Sequence, residues 1–317
     1  MADAFNTVMY PLYWVVSVVL TGWHSLIANA LPAASGWTWA LSIVGLTLVV
    51  RAALIPLFVK QIKSSRNMQM LQPRVKDLQK KYGHDRERLA QETMALYRDA
   101  GTNPFASCLP LLAQMPIFLA LFRVIDQATK SPPRPLGVLT TEDAVELDGA
   151  SLLGVRISDR FLEAGGDWNI IVLTAVLVLL MTATTFITQR QLMRKNMPES
   201  ALTGPYAQQQ KMLLYILPVA FGVGGIWFPV GVLLYWTTSN LWTMGQQFYV
   251  IRNNPAPGTP AHDAKVARDT RKGKIAPPAA PAAPETSAAP PPKRQQPKKS
   301  SRNQRRRRPR PPNAQEG

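Results

Sequence analysis

The 317-residue sequence is poor in the groups that carry covalent chemistry. It has one cysteine, Cys108, and three histidines, His24, His84 and His262. A single cysteine excludes an internal disulfide, and its place in an apolar run marks it as a small packing residue. There is no CxxC pair, no HExxH and no glycine-rich phosphate loop, so the common redox, metalloprotease and nucleotide signatures are missing. We expect no enzyme, no catalytic residue, no metal site and no cofactor. No Lys or Arg precedes Arg51, so the positive start of a standard signal peptide is lacking. Aromatic residues are absent from 252–317, which removes the stacking platforms of base recognition. Carboxylates are absent from the five long apolar stretches, which leaves intramembrane proton relays without their usual groups.

What is present divides the chain. Hydrophobic residues make up 46% of it, yet the net charge is +17. Five stretches, 37–59, 105–125, 168–188, 209–226 and 228–250, approach the ~20 residues that a helix needs to cross a bilayer. The fourth is the weakest, because Gln209, Gln210 and Lys211 open it. The expected fold class is an all-α integral membrane protein with a five-helix transmembrane core.

The connections carry the charge. Residues 60–104 hold ten Lys/Arg and 189–211 hold four, while 252–317 hold sixteen. Residues 126–167 hold four Lys/Arg against eight acids. Basic bias marks the cytoplasmic side. Five crossings therefore place 126–167 outside and the C-terminus in the cytoplasm. The segment 8–31 has two readings. Tyr10, Tyr13, Trp14 and Trp23 suit a helix lying at the membrane interface, the reading we favour for an extracytoplasmic segment 1–36. Its length would also allow an additional crossing, with Met1 inside.

Residues 61–103 predict a cytoplasmic helical hairpin. Leu71, Val75, Leu78 and Tyr82 form one stripe, Gly83 stops it, and Asp85 caps a second helix bearing Leu89, Thr93 and Leu96. Gly101 ends that helix, and Pro73 belongs near a helix start or a kink. Residues 252–317 predict a disordered tail rich in Pro, Ala, Lys and Arg. Its run Arg305, Arg306, Arg307, Arg308 and Arg310 suits phosphate, on RNA or on anionic lipids.

Arg51 stands inside the first apolar stretch, nine residues before Lys60. At 1.5 Å per residue this is about 13 Å of depth. A guanidinium does not deprotonate, so its tolerable home is a water-filled cavity facing the bundle interior. Gln114, Thr182, Thr184, Thr185, Ser239, Asn240, Thr243 and Gln246 are neutral polar groups in the other stretches. They predict a hydrated, positively charged groove that draws acidic polypeptide. It would also shorten the apolar path such a segment must cross.

Three blocks carry a resemblance: RAALIPLFVKQIKSSRNMQMLQPRVKDLQKKYG at 51–83, GTNPFASCLPLLAQMPIFLALF at 101–122, and LYWTTSNLWTMGQQFYV at 234–250. Together they resemble the YidC/Oxa/Alb membrane protein insertases, over a core of 37–251. The resemblance implies a groove open to the cytoplasm and to lipid, lined by Arg51, Gln114 and Thr243; Asn240 and Gln246, from the polar groups above, complete the expected groove. It implies insertion of nascent membrane proteins in the bacterial plasma membrane, alone or with the Sec translocon, and ribosome contact through a basic tail. The large extracytoplasmic β-rich domain of Gram-negative members has no counterpart in the 36 residues before the core. Two rivals are a transporter that binds an anionic solute at Arg51, and a passive anchor for ribosomes. No internal repeat with paired broken helices supports the transporter, and the anchor leaves Arg51 without a role.

Overall fold

A computed structural model describes residues 2–103, 109–130, 132–196 and 205–274. Cys108 and the run Arg305–Arg310 lie outside them. Among the described residues there are eleven α-helices: α1 Ala2–Ile27, α2 Gly36–Ala53, α3 Ile55–Met70, α4 Gln72–Tyr82, α5 Arg86–Asp99, α6 Leu109–Ala128, α7 Thr141–Gly149, α8 Trp168–Asn196, α9 Pro205–Gly225, α10 Val230–Asn253 and α11 Pro260–Arg271. The only sheet among them is a hairpin of β1 Ser151–Leu152 and β2 Val155–Arg156, antiparallel. The protein is thus mainly helical, as its composition predicts. By length and apolarity, Phe5–Ile27, Gly36–Ala53 and Trp168–Asn196 qualify as membrane-crossing helices.

The packed centre joins α1, α2, α6 and α10. Tyr13, Val16 and Leu20 meet Trp39, Ile43 and Leu46, then Leu121, Val124 and Ile125, then Val232 and Tyr235. Close approach of α10 depends on Gly231. A Cβ there would stand 2.6 Å from Ile157 Cγ2 and 3.1 Å from Ile125 Cδ1.

The expected continuous helix over 37–59 is divided. α2 stops at Ala53, two residues after Arg51, and α3 starts at Ile55. Pro56 is the physical reason: it offers no N–H to the carbonyl four residues back, and its ring crowds that carbonyl. The hairpin follows the sequence signals closely. α4 carries proline in its first turn and ends at Gly83. Asp85 accepts from the Arg88 N–H at 3.0 Å, and Gly101 takes φ +63° past the end of α5. The two helices lie against each other.

The connection 126–167 is a folded cap. Thr140 and Asp143 form a reciprocal capping box that starts α7. Leu147, Ala150 and Ile157 enter the main core. Val230 and Gly231 donate backbone hydrogen bonds to the Asp159 and Ile157 carbonyls, at 3.0 and 2.9 Å. Buried Asp126 lies 3.3 Å from Arg160 Nη2 and 3.3 Å from Lys130 Nζ, joining the end of α6 to the cap.

α1 packs along the start of α2 and the end of α6, and it also touches the cap. Ser17 Oγ accepts from the Val138 N–H at 2.9 Å. The neighbouring Gly137, at φ +71°, has no room for a Cβ beside Ser17. At the other end of α1, the His24 ring stacks on Trp39 with centroids 4.0 Å apart.

The stretch 252–317, expected to be a disordered tail, begins with ordered structure. Thr259 caps α11 by accepting from the His262 N–H at 3.3 Å, with proline in the first turn. The helix docks on α8 and α10. The reason is local: between Arg252 and Lys274 the chain has capping residues and a helix-forming composition, and the proline-alanine run begins only after it.

Candidate functional site

A cavity of about 460 Å³ lies between α2, α6, α8, α9 and α10. Arg51 enters from α2, one turn before the break. Gln114 comes from α6, Thr185 from α8, and Tyr235, Ser239, Asn240 and Thr243 from α10. The α10 positions 235, 239 and 243 are separated by four residues, so they share one face of a helix.

Arg51 is 7% exposed. Its Nε donates to Ser239 Oγ at 2.8 Å, and its Nη2 reaches the same oxygen. The Phe58 ring on α3 lies 5.8 Å from the guanidinium carbon, within cation–π range. Among the described residues no carboxylate forms an ion pair with Arg51. The positive charge is therefore held by neutral dipoles and a ring face.

Gln114 Nε2 donates to Tyr235 Oη, while its Oε1 is buried without a hydrogen-bond partner. Asn240 Nδ2 reaches Thr185 Oγ1 at 3.1 Å, tying α10 to α8. Thr243 Oγ1 donates to the Ser239 carbonyl at 2.9 Å, which fixes its rotamer against its own helix.

Four of the five groove residues expected from sequence, Arg51, Gln114, Asn240 and Thr243, line this one cavity. Gln246 does not. It accepts from Trp242 Nε1 at 3.0 Å and faces a second groove of about 610 Å³, between α3 and α10, with Ile55, Val59 and Tyr249. Seven residues separate Gln246 from Ser239, but the two fall on different walls.

The sequence reading overlooked Tyr235 and the aromatic roof. Phe118 meets Phe228 edge-on at 5.5 Å and Trp236 at 5.2 Å. Phe221 meets Trp236 at 5.0 Å. These rings line the cavity, and Pro229, next to Phe228, forms a β-bridge with Arg160 of the cap. The four-residue spacing from Tyr235 to Ser239 was the available signal for the tyrosine. The roof had none, since its rings come from three separate parts of the chain.

The chain is similar to known proteins over its helical core. The family described as "60Kd inner membrane protein" matches residues 30–257. The membrane protein insertase YidC of Streptomyces avermitilis is 44% identical over 275 residues, covering 84% of this chain and 63% of that one. The membrane protein insertase YidC of Tropheryma whipplei strain Twist is 36% identical over 281 residues, covering 84% of this chain and 90% of that one. A solved structure, an active YidC insertase crystal structure with the first transmembrane domain resolved, is 25% identical with a TM-score of 0.46, covering 77% of this chain and 46% of that chain. The chain thus spans under two thirds of the Streptomyces relative and under half of the solved chain. Matched by that family over residues 30–257, the chain belongs to the 60Kd inner membrane protein family of YidC-type insertases.

Proposed function

We propose that this protein inserts nascent membrane proteins into the bacterial plasma membrane, using the Arg51 cavity as a transient polar shelter. One observation carries the reading: a buried guanidinium, without an acidic partner among the described residues, faces a cavity lined by polar groups and aromatic rings. A single serine hydroxyl leaves most of the five guanidinium N–H groups available to water or to a passing chain. The partnerless Gln114 Oε1 supplies an acceptor for a peptide N–H.

In this reading the cap faces outward and the α4–α5 hairpin faces the cytoplasm, as the basic connections require. The core is 37–251, and its spans follow the five apolar stretches. α1 lies in the outer half of the membrane: its contacts reach the first turns of α2, the end of α6 and residues 137–138. An acidic or polar tail enters beside Arg51, Gln114, Asn240 and Thr243, while its apolar segment moves into lipid. Gln246 then serves the neighbouring groove. No covalent step is involved. The tail residues Arg305, Arg306, Arg307, Arg308 and Arg310 reach rRNA phosphates of the translating ribosome without reading sequence. Larger clients pass through cooperation with the Sec translocon.

The test is insertion into liposomes by purified protein. Arg51→Ala should slow insertion of a client with an acidic translocated tail about tenfold or more and leave a client with a short neutral tail nearly unaffected. Equal rates for both variants on both clients would defeat the role given to the cation. Flux of a small anion through the same liposomes, lost in Arg51→Ala, would instead establish the transporter reading.

A further inference from the structure

A third cavity, of about 320 Å³, lies at the junction of α8, α10 and α11, away from the Arg51 site. Its wall combines Lys195, Arg252 and Arg268 with Phe248, Ile251, Ala261 and Ala264. Among the described residues no carboxylate lines it. The α11 acids sit elsewhere: Asp263 is exposed beside His262, at 3.8 Å.

We propose that this cavity binds the phosphate of an anionic phospholipid, held where α11 folds back onto the ends of α8 and α10. The inference requires only that α8 and α10 cross the membrane; it does not depend on what the Arg51 cavity does.

Length sets the level of the site. α8 has 29 residues, about 43 Å at 1.5 Å each, against a hydrocarbon core of ~30 Å. The excess falls at its polar end, where Gln191 and Lys195 stand at headgroup depth. Arg252 lies in the last turn of α10. The Phe248 ring, 53% exposed, continues the cavity wall toward the acyl region.

The third cation is built in by docking. Ala256 N–H donates to Asn196 Oδ1 at 2.9 Å, pinning the linker to the end of α8. Arg268 Nη2 donates to the Arg252 carbonyl at 2.6 Å. These bonds hold three like charges around one pocket, an arrangement that repels itself until an anion enters. An apolar wall beside three cations favours a lipid over RNA, because a nucleic-acid phosphate brings no hydrocarbon to cover Phe248 and Ile251.

The test uses the full chain purified in neutral detergent, with native mass spectrometry counting bound phosphatidylglycerol and phosphatidylcholine. Wild type should retain one phosphatidylglycerol in preference to phosphatidylcholine. Lys195→Gln, whose side chain makes no hydrogen bond among the described residues, should weaken that retention roughly five-fold, as expected for one headgroup-level charge. Arg268→Lys should keep more of it than Arg268→Gln, which separates charge from docking. Arg271→Gln, on the exposed end of α11, is the surface-charge control. Equal losses in the control, equal retention of both lipids, or a Lys195→Gln effect confined to binding of an RNA oligonucleotide would each overturn the proposal.

Discussion

At the scale of single residues, two positions show how neighbours fix meaning. Arg51 reads from sequence as an isolated cation, and the structure gives it Ser239 and the Phe58 ring while leaving it without a carboxylate. Gly231 carries no sequence signal at all. Its importance comes from Ile157 and Ile125, which lie 74 and 106 positions away in the chain and leave no room for a methyl group. Gly231→Ala should lower stability by about 1–3 kcal/mol, the usual cost of overpacking, measured by thermal unfolding in detergent. An unchanged midpoint would mean that the cap and α10 can separate freely. Tyr235 was missed for a related reason. A tyrosine in an apolar stretch is ordinarily a packing residue, and only the partner Gln114, from another helix, marks it as part of a polar wall.

Elements were legible where their signals are local. The α4–α5 hairpin follows from a stripe, a stop and a cap within some thirty residues, and each of these features appears where the sequence puts it. Asp85→Ala should remove about 1 kcal/mol from the start of α5. Faster hydrogen exchange in the first turn of α5, with α8 unaffected, is the expected result; uniform exchange would show that the cap is not holding the helix. The broken α2–α3 junction was less legible, because Pro56 can either kink a helix or end it, and hydrophobicity continues across it. The cap over 126–167 and helix α11 were illegible for different reasons. The cap's short elements gain their stability from Trp39, Ile43 and Val232 in the bundle, which no local window contains. α11 is a weak helix in isolation at twelve residues, and its hydrogen bond to α10, with the linker's bond to α8, appears only in three dimensions.

At the scale of the whole molecule, charge is sorted by position. The cap carries an excess of acids, while the hairpin, the far end of α8 and everything after α10 carry an excess of basic residues. Removing 275–317 leaves α11 and its contacts in place but takes away the arginine run. Ribosome co-sedimentation should fall, and the part that is lost should be the strongly salt-dependent part. Binding that survives unchanged would assign the contact to the α4–α5 hairpin.

The aromatic roof has a further consequence for the electrical profile of the membrane. With the Arg51 cavity filled by conducting solution from the cytoplasmic side, the voltage across the bilayer falls mainly over the rings and the packed centre beyond them. A negative cargo residue leaving the cavity would then traverse nearly the full potential within a short path, at about 2.3 kcal/mol per charge for each 100 mV. Under the proposed function, an inside-negative membrane potential would thereby pull acidic tails outward as they leave the arginine.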